Sequence, residues 1–393
     1  MGQEKKMKEH PDSHYHIINS SAALECFVTE LEGVTSIAVD LESDSLYHFQ
    51  ERVCLIQIST PDKTVIVDPL IIRDMSSLKP VFSRKDIRKI FHGADYDIRS
   101  LYRDFGIEIT TLFDTQLASM FLGINETSLE ALLQDRFHIH LNKKYQKKDW
   151  SIRPLPHDML SYASMDVMYL LPLAEQLRSA LQKMNRLYWV EEEAELLSKV
   201  RPATTNQEPL FLKFKGAGKL NPRSLAVLES LLSYRKKIAK KKDKPLYKVI
   251  GNASLMKISA AMPSDLIRLA SSGALSPKQI RMFGNDVVAM VQLAFQIPEG
   301  DLPMYPRKKR PVFQPGVSKR VKAIESWRNT RSKALKLNPA LIFSNSLIST
   351  LAIQHPITLD DLEKIPGVKK WQVMEFGEEI LKILKQISHG KKT

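Results

Sequence analysis

The sequence predicts an α/β domain, a mixed sheet flanked by helices, followed by two small all-α helical domains. From Ser36 to Ala180, short apolar runs rich in β-branched residues alternate with stretches of helical period, the pattern of strands layered against helices. Beyond Gly218 only helical periodicity remains. Two blocks there share a local phrase: Met262-Pro263-Ser264-Asp265-Leu266 ahead of Met282-Phe283-Gly284, and Ile357-Thr358-Leu359-Asp360-Asp361-Leu362 ahead of Glu375-Phe376-Gly377. This reads as a diverged tandem repeat.

The expected strands are Ser36 to Leu41, Val53 to Ser59, Thr64 to Val67 and Arg88 to Phe91. The short connection Ser43 to Glu51 suits an antiparallel pairing of the first two, which makes the sheet mixed. Helical period surrounds Asp97 to Phe105, Thr115 to Leu122, Leu129 to Phe137 and His157 to Met184, and a further helix, Glu191 to Val200, leads out of the domain. The polar stretch Asn142 to Asp149 reads as a mobile loop. Proline and glycine mark residues 201–217 as a linker. The first helical domain is expected over 218–296, a linker rich in proline and basic residues over 297–316, and the second helical domain over 317–393. The α/β domain occupies 1–200, with its core at about 15–190, and a fragment ending near Val200 is expected to fold.

Charge divides the chain. Residues 1–200 hold 23 Lys and Arg against 30 Asp and Glu, a net −7, whereas 201–393 hold 35 against 14, a net +21. A basic half of this size suits a polyphosphate partner. Cys26 and Cys54 are too few for a disulfide framework or a zinc cluster. No apolar run is long enough to span a membrane. The N-terminus, with Lys5, Lys6 and Lys8, lacks an apolar signal core, so a cytoplasmic location is expected.

Four carboxylates in three patches carry the chemistry. Asp40 and Glu42 end the first apolar run, and alternation along a strand points both to one face. Two acids so placed repel and resist desolvation unless a cation neutralises them. Hard ions such as Mg²⁺ or Mn²⁺ take such oxygen ligands. Asp97 follows a Gly turn in Phe91-His92-Gly93-Ala94-Asp95-Tyr96-Asp97. Tyr162 and Asp166, at i and i+4 of a helical segment, emerge on one face. Together these have the makings of a two-metal phosphodiesterase site.

The three patches in this order resemble the exonuclease motifs of the DEDD superfamily, and are most similar to ribonuclease D. Asp40 and Glu42 match the first motif, Asp97 the second, and Tyr162 and Asp166 the third, whose Tyr-x-x-x-Asp spacing marks the tyrosine-type branch. Asp114-Thr115-Gln116 and Asp149-Trp150-Ser151-Ile152-Arg153-Pro154-Leu155 also resemble the ribonuclease D form. The helical blocks resemble the HRDC domains shared with RecQ-type helicases, the second recognisable mainly by Phe376-Gly377 and Ile365-Pro366-Gly367-Val368. The resemblance implies a ribonuclease-H-like exonuclease fold and two divalent cations, Mg²⁺ or Mn²⁺, held by Asp40, Glu42, Asp97 and Asp166. Tyr162 would orient or deprotonate the attacking water. No organic cofactor and no membrane partner is implied.

Substrate contacts are expected from several quarters. Tyr47, His48 and Phe49, in the loop between the first two strands, would stack on terminal nucleotides or else pack on their own sheet. His92 would contact substrate or serve as a hydrogen-bonded strand-end residue. Lys143, Lys144, Lys147 and Lys148 would cover phosphates. Arg235, Lys236 and Lys237, continuing to Lys242, and the cluster Arg307 to Arg310 would contact the nucleic-acid backbone. The family resemblance implies metal-dependent 3′-5′ trimming of tRNA precursors and other structured RNAs with single-stranded 3′ ends, releasing nucleoside 5′-monophosphates. The alternatives are a DNA 3′-5′ exonuclease and a catalytically silent RNA-binding adaptor.

Overall fold

The computed structural model describes residues 15–202, 208–306 and 316–389. The Arg307 to Arg310 cluster and Lys5, Lys6 and Lys8 lie outside the described residues. Two compact units emerge. One comprises 1–43, 53–202 and 311–393, the other 44–52 and 203–310.

The first unit is built on a six-stranded sheet, with β1 Tyr15–Ile18, β2 Ser36–Ser43, β3 Val53–Ser59, β4 Thr64–Val67, β5 Arg88–Phe91 and β6 Leu112–Asp114. Their order is β1-β4-β3-β2-β5-β6. β3 runs antiparallel to both β2 and β4, and the remaining pairs are parallel. The expected mixed sheet is therefore present, with β1 and β6 added at its edges. Strand β3 is buried along its whole length, as a central strand covered on both faces must be.

Alternation along β2 divides the core. Ile37, Val39 and Leu41 join one hydrophobic cluster with Phe82, Ile98 and Leu101, while Ala38 joins another with Phe113, Leu173 and Leu177. Asp40 and Glu42 share the face of Ala38. The helical stretch expected from His157 to Met184 is two helices, His157–Met168 and Leu170–Lys183, separated at Tyr169. The outgoing helix starts earlier than expected, at Leu187.

The cluster containing Ala38 does not stop at residue 200. It continues through Phe121, Trp189 and Val190 into Ile324, Phe343, Ile348, Trp371, Phe376 and Leu384 of the last helical block. Trp371 is fully buried, Trp189 stacks on it, and Phe121 meets it edge-on at 5.6 Å. Polar bonds frame the contact. Glu192 accepts the Lys370 and Trp371 backbone N–H groups at the start of the last helix, two donors no intrahelical carbonyl can reach. Glu193 accepts from the Trp371 indole and pairs with Lys369. Thus residues 1–200 share one core with the second helical block, and a fragment ending at Val200 would lay that core open.

The second unit packs the helices Pro222–Lys241, Asn252–Ala261, Leu266–Ser271 and Pro277–Phe295 around Leu228, Leu231, Ile258, Phe283 and Val287. In the stretch expected as a linker, Leu210–Lys213 forms a 3-10 turn whose Phe211 is buried in the same cluster. The tandem repeat shows in one shared device. Arg235 donates to the Ile250 carbonyl and the Asn252 side chain, and Arg328 donates likewise to Phe343 and Asn345. Each arginine is nearly buried and ties its long helix to the start of a following one.

Candidate active site

Asp40 lies opposite Gln57 in the β2–β3 ladder, and Glu42 opposite Leu55 next to an irregularity at Ser43. The helix His157–Met168 packs across β2, β3 and β4. It brings Asp166 to the two strand acids, so that carboxylate oxygens of Asp40, Glu42 and Asp166 fall within 4.8 Å of one another. One turn earlier, the Tyr162 hydroxyl donates a hydrogen bond to Asp166. Its ring rests between Trp150 and Tyr145, with centroids 6.1 Å away in each case.

Asp97 is buried in the first turn of the helix Asp95–Phe105. It stands outside the group of three, yet its charge acts on Glu42 and that of Asp40 acts on it. The turn that presents it is held by Asp114, whose buried carboxylate accepts the backbone N–H groups of Gly93, Ala94, Gln116 and Leu117. A carboxylate receiving four such donors needs no counter-ion. The Asp149 to Leu155 segment is fixed in the same manner. Arg153 donates to both Asp68 oxygens and to the Cys54 and Trp150 carbonyls.

Burial dominates the electrostatics. It pushes Asp40 up to about 6 and holds Glu42, Asp97 and Asp166 well above the usual carboxylate range, with mutual repulsion adding to each of these three. Burial, then the neighbouring carboxylates, also raise Tyr162. Such a cluster resists carrying four negative charges by itself.

A cavity of about 390 Å³ opens on these groups, lined among others by Asp40, Glu42, His92, Gln116, Lys143, Tyr162 and Asp166. His92 bonds Thr115 Oγ1 through Nδ1 at 3.0 Å, and burial lowers its pKa. Of the four loop lysines only Lys143 lines the cavity, paired with Glu130. Lys147 and Lys148 are exposed and do not line it.

Two other expectations change. Arg235 is buried, and its hydrogen bonds go to its own helical block instead of an open surface. Lys236 and Lys237 on the same helix are exposed. The loop 44–52 belongs to the second unit. Phe49 joins the hydrophobic cluster of the first helical block, His48 Nδ1 lies 2.7 Å from Asp243, and the Lys248 ammonium sits over the Tyr47 ring.

Two residues were given no site role from the sequence. Gln116 lines the cavity. Gln57, opposite Asp40, has a fully buried carboxamide without a hydrogen-bond partner among the described residues. A lone amide inside the apolar run of β3 was the available signal.

Comparison with known proteins agrees with this architecture. Residues 15–182 match the 3′-5′ exonuclease family model, and residues 224–291 and 318–384 match the HRDC domain. Exosome complex component 10 of Mus musculus is 32% identical over 76% of the chain, which spans 36% of that protein's length. The crystal structure of the RRP6 catalytic core from Trypanosoma brucei (mutant C496S) is 32% identical, with a TM-score of 0.64, covering 73% of this chain and 82% of that one. Escherichia coli RNase D, described as an exoribonuclease involved in structured RNA processing, is 27% identical with a TM-score of 0.72, covering 95% of this chain and 99% of that one. No helix among the described residues is long and apolar enough to cross a membrane. With residues 15–182 matching the 3′-5′ exonuclease model and both HRDC blocks following, the chain belongs to the ribonuclease D family of 3′-5′ exonucleases.

Proposed function

We propose that the protein is a metal-dependent 3′-5′ exoribonuclease that trims tRNA precursors and other stable RNAs, releasing nucleoside 5′-monophosphates. The observation that carries this reading is the convergence of Asp40, Glu42 and Asp166 within 4.8 Å, beside Tyr162, in one cavity. Buried, mutually repelling oxygen donors with raised proton affinity fit hard divalent cations. Asp40, Glu42, Asp97 and Asp166 would hold two of them, which when bound supply Lewis-acid activation of water and relief of charge on the leaving oxygen. The chain's own groups do the rest. Tyr162 keeps its proton in the buried site and donates to Asp166, so its hydroxyl is placed to hold and orient the attacking water. The 390 Å³ cavity admits a terminal nucleotide, with Lys143 at hand for a phosphate.

A labelled tRNA precursor and a matched DNA oligomer, each with and without EDTA, test the reading. Mononucleotide release from the 3′ end of RNA, abolished by EDTA and by Asp40→Asn, is expected. Equal or faster cleavage of DNA would favour the DNA exonuclease. Asp40→Asn within tenfold of wild type would overturn the metal-site assignment, since such a site supplies several kcal/mol.

A further inference from the structure

The catalytic cavity is not the only opening among the described residues of the first unit. A groove of about 1030 Å³ lies between the 123–127 loop and the C-terminal end of the helix Val317–Leu335. We propose that this groove binds single-stranded RNA upstream of the 3′ end held in the catalytic cavity, an inference resting on the function proposed above.

Charge is the first argument. Lys333 and Lys336 line the groove, and no acid among the described residues does. Position is the second: Asn125 and Thr127 line the groove, while Ser128, Leu129 and Glu130, the next residues of the same segment, line the catalytic cavity. A strand whose end occupies the cavity would pass along this segment into the groove. Chemistry is the third. Met120 and Ile124 offer apolar surface for base faces, and Asn125 adds an amide. Such a mixture holds bases without reading sequence.

The floor is also rigid. Buried Arg186 donates to the Phe121 carbonyl and to the Leu335 carbonyl, so one guanidinium joins the helix end on either side of the groove. At Gly123 a Cβ would lie 2.4 Å from the Lys336 carbonyl oxygen. Backbone meets backbone there, and no side chain fits between. A groove fixed before binding loses little order when RNA enters.

The test pairs the full-length Lys333→Glu, Lys336→Glu double variant with wild type. Both are assayed on a short oligoribonucleotide, of about three nucleotides, and on one of about twelve. The expected result is unchanged turnover of the short substrate and at least tenfold weaker binding of the long one. The slope of log affinity against log salt should fall by about 1 to 2, one or two phosphate contacts having been lost. In wild type, 4-thiouridine placed upstream of the 3′ end should crosslink to the peptide carrying Met120 and Ile124. Equal affinity and equal salt slope for the long RNA, or crosslinks confined to other peptides, would overturn the groove assignment. Absence of RNA hydrolysis by wild type would instead count against the proposed activity. The binding and crosslinking arms would still decide the groove.

Discussion

Trp189 and Trp371 stack with their ring centroids 4.7 Å apart and their planes 21° from parallel. One leaves the catalytic domain, and the other begins the last helix of the second HRDC block. Their contact makes the block part of the catalytic unit's interior. Trp371→Ala should therefore destabilise that unit by about 3–5 kcal/mol, as large-to-small core changes do, and a fragment ending at Val200 should aggregate or unfold. Chemical denaturation monitored by tryptophan fluorescence measures both; a cooperative, fully stable 1–200 fragment would contradict the shared core.

Arg235 and its neighbour Lys236 make opposite predictions. Arg235→Ala strands the Ile250 carbonyl and the Asn252 side chain in the interior, a cost of roughly 1–3 kcal/mol, so the melting temperature should drop. Lys236→Ala, at an exposed position, should leave melting unchanged and lower RNA affinity at low salt only. Arg328→Ala should repeat the Arg235 result, because the second block reuses the same bonds.

Tyr162→Phe retains the ring between Trp150 and Tyr145 but removes the hydroxyl. Turnover should fall about 10²–10⁴-fold with KM little changed. The fold should be unaffected by circular dichroism, and an unchanged kcat would reduce Tyr162 to a packing residue.

In EDTA the acidic cluster should make stability fall as pH rises. Asp40 has a folded pKa of about 6 against an unfolded value near 4, and Glu42, Asp97 and Asp166 are also raised. The folded state then binds more protons than the unfolded one above about pH 4, so stability is lost as pH climbs through 6 and beyond. Adding Mg²⁺ or Mn²⁺ should reverse the trend by favouring the ionised acids. Thermal melts between pH 4.5 and 7.5 check the sign, and Asp40→Asn should flatten the slope.

What the sequence made legible was whatever its local pattern encodes. β3 and β4 fall where expected because each is a mainly apolar run rich in β-branched residues, and Asp40, Glu42 and Asp166 were singled out because strand alternation and helical spacing fix their faces. Edge strand β6 has three residues, too few to show a period, and β1, Tyr15–Ile18, has exposed residues at its centre, so no buried apolar run marks it. Arg235 was misread through its basic neighbours, although it lies four residues after Leu231 and seven after Leu228, on the buried helical face. The docking of Phe49 on the first HRDC block and the pairing of Trp189 with Trp371 join residues nearly two hundred positions apart. No local pattern reports a contact of that separation.

The stacked tryptophans also bear on synthesis. A ribosome adding ~5–20 residues per second needs roughly 10–40 seconds to travel from Trp189 to Trp371. Throughout that interval Asp40, Glu42, Asp97 and Asp166 have already been made, while the hydrophobic face bearing Phe121 and Trp189 lacks its cover. The nascent nuclease domain must wait, incomplete, beside the very messenger that encodes it. The core is complete only once the last helix, Lys370–His389, near the end of these 393 residues, has been made.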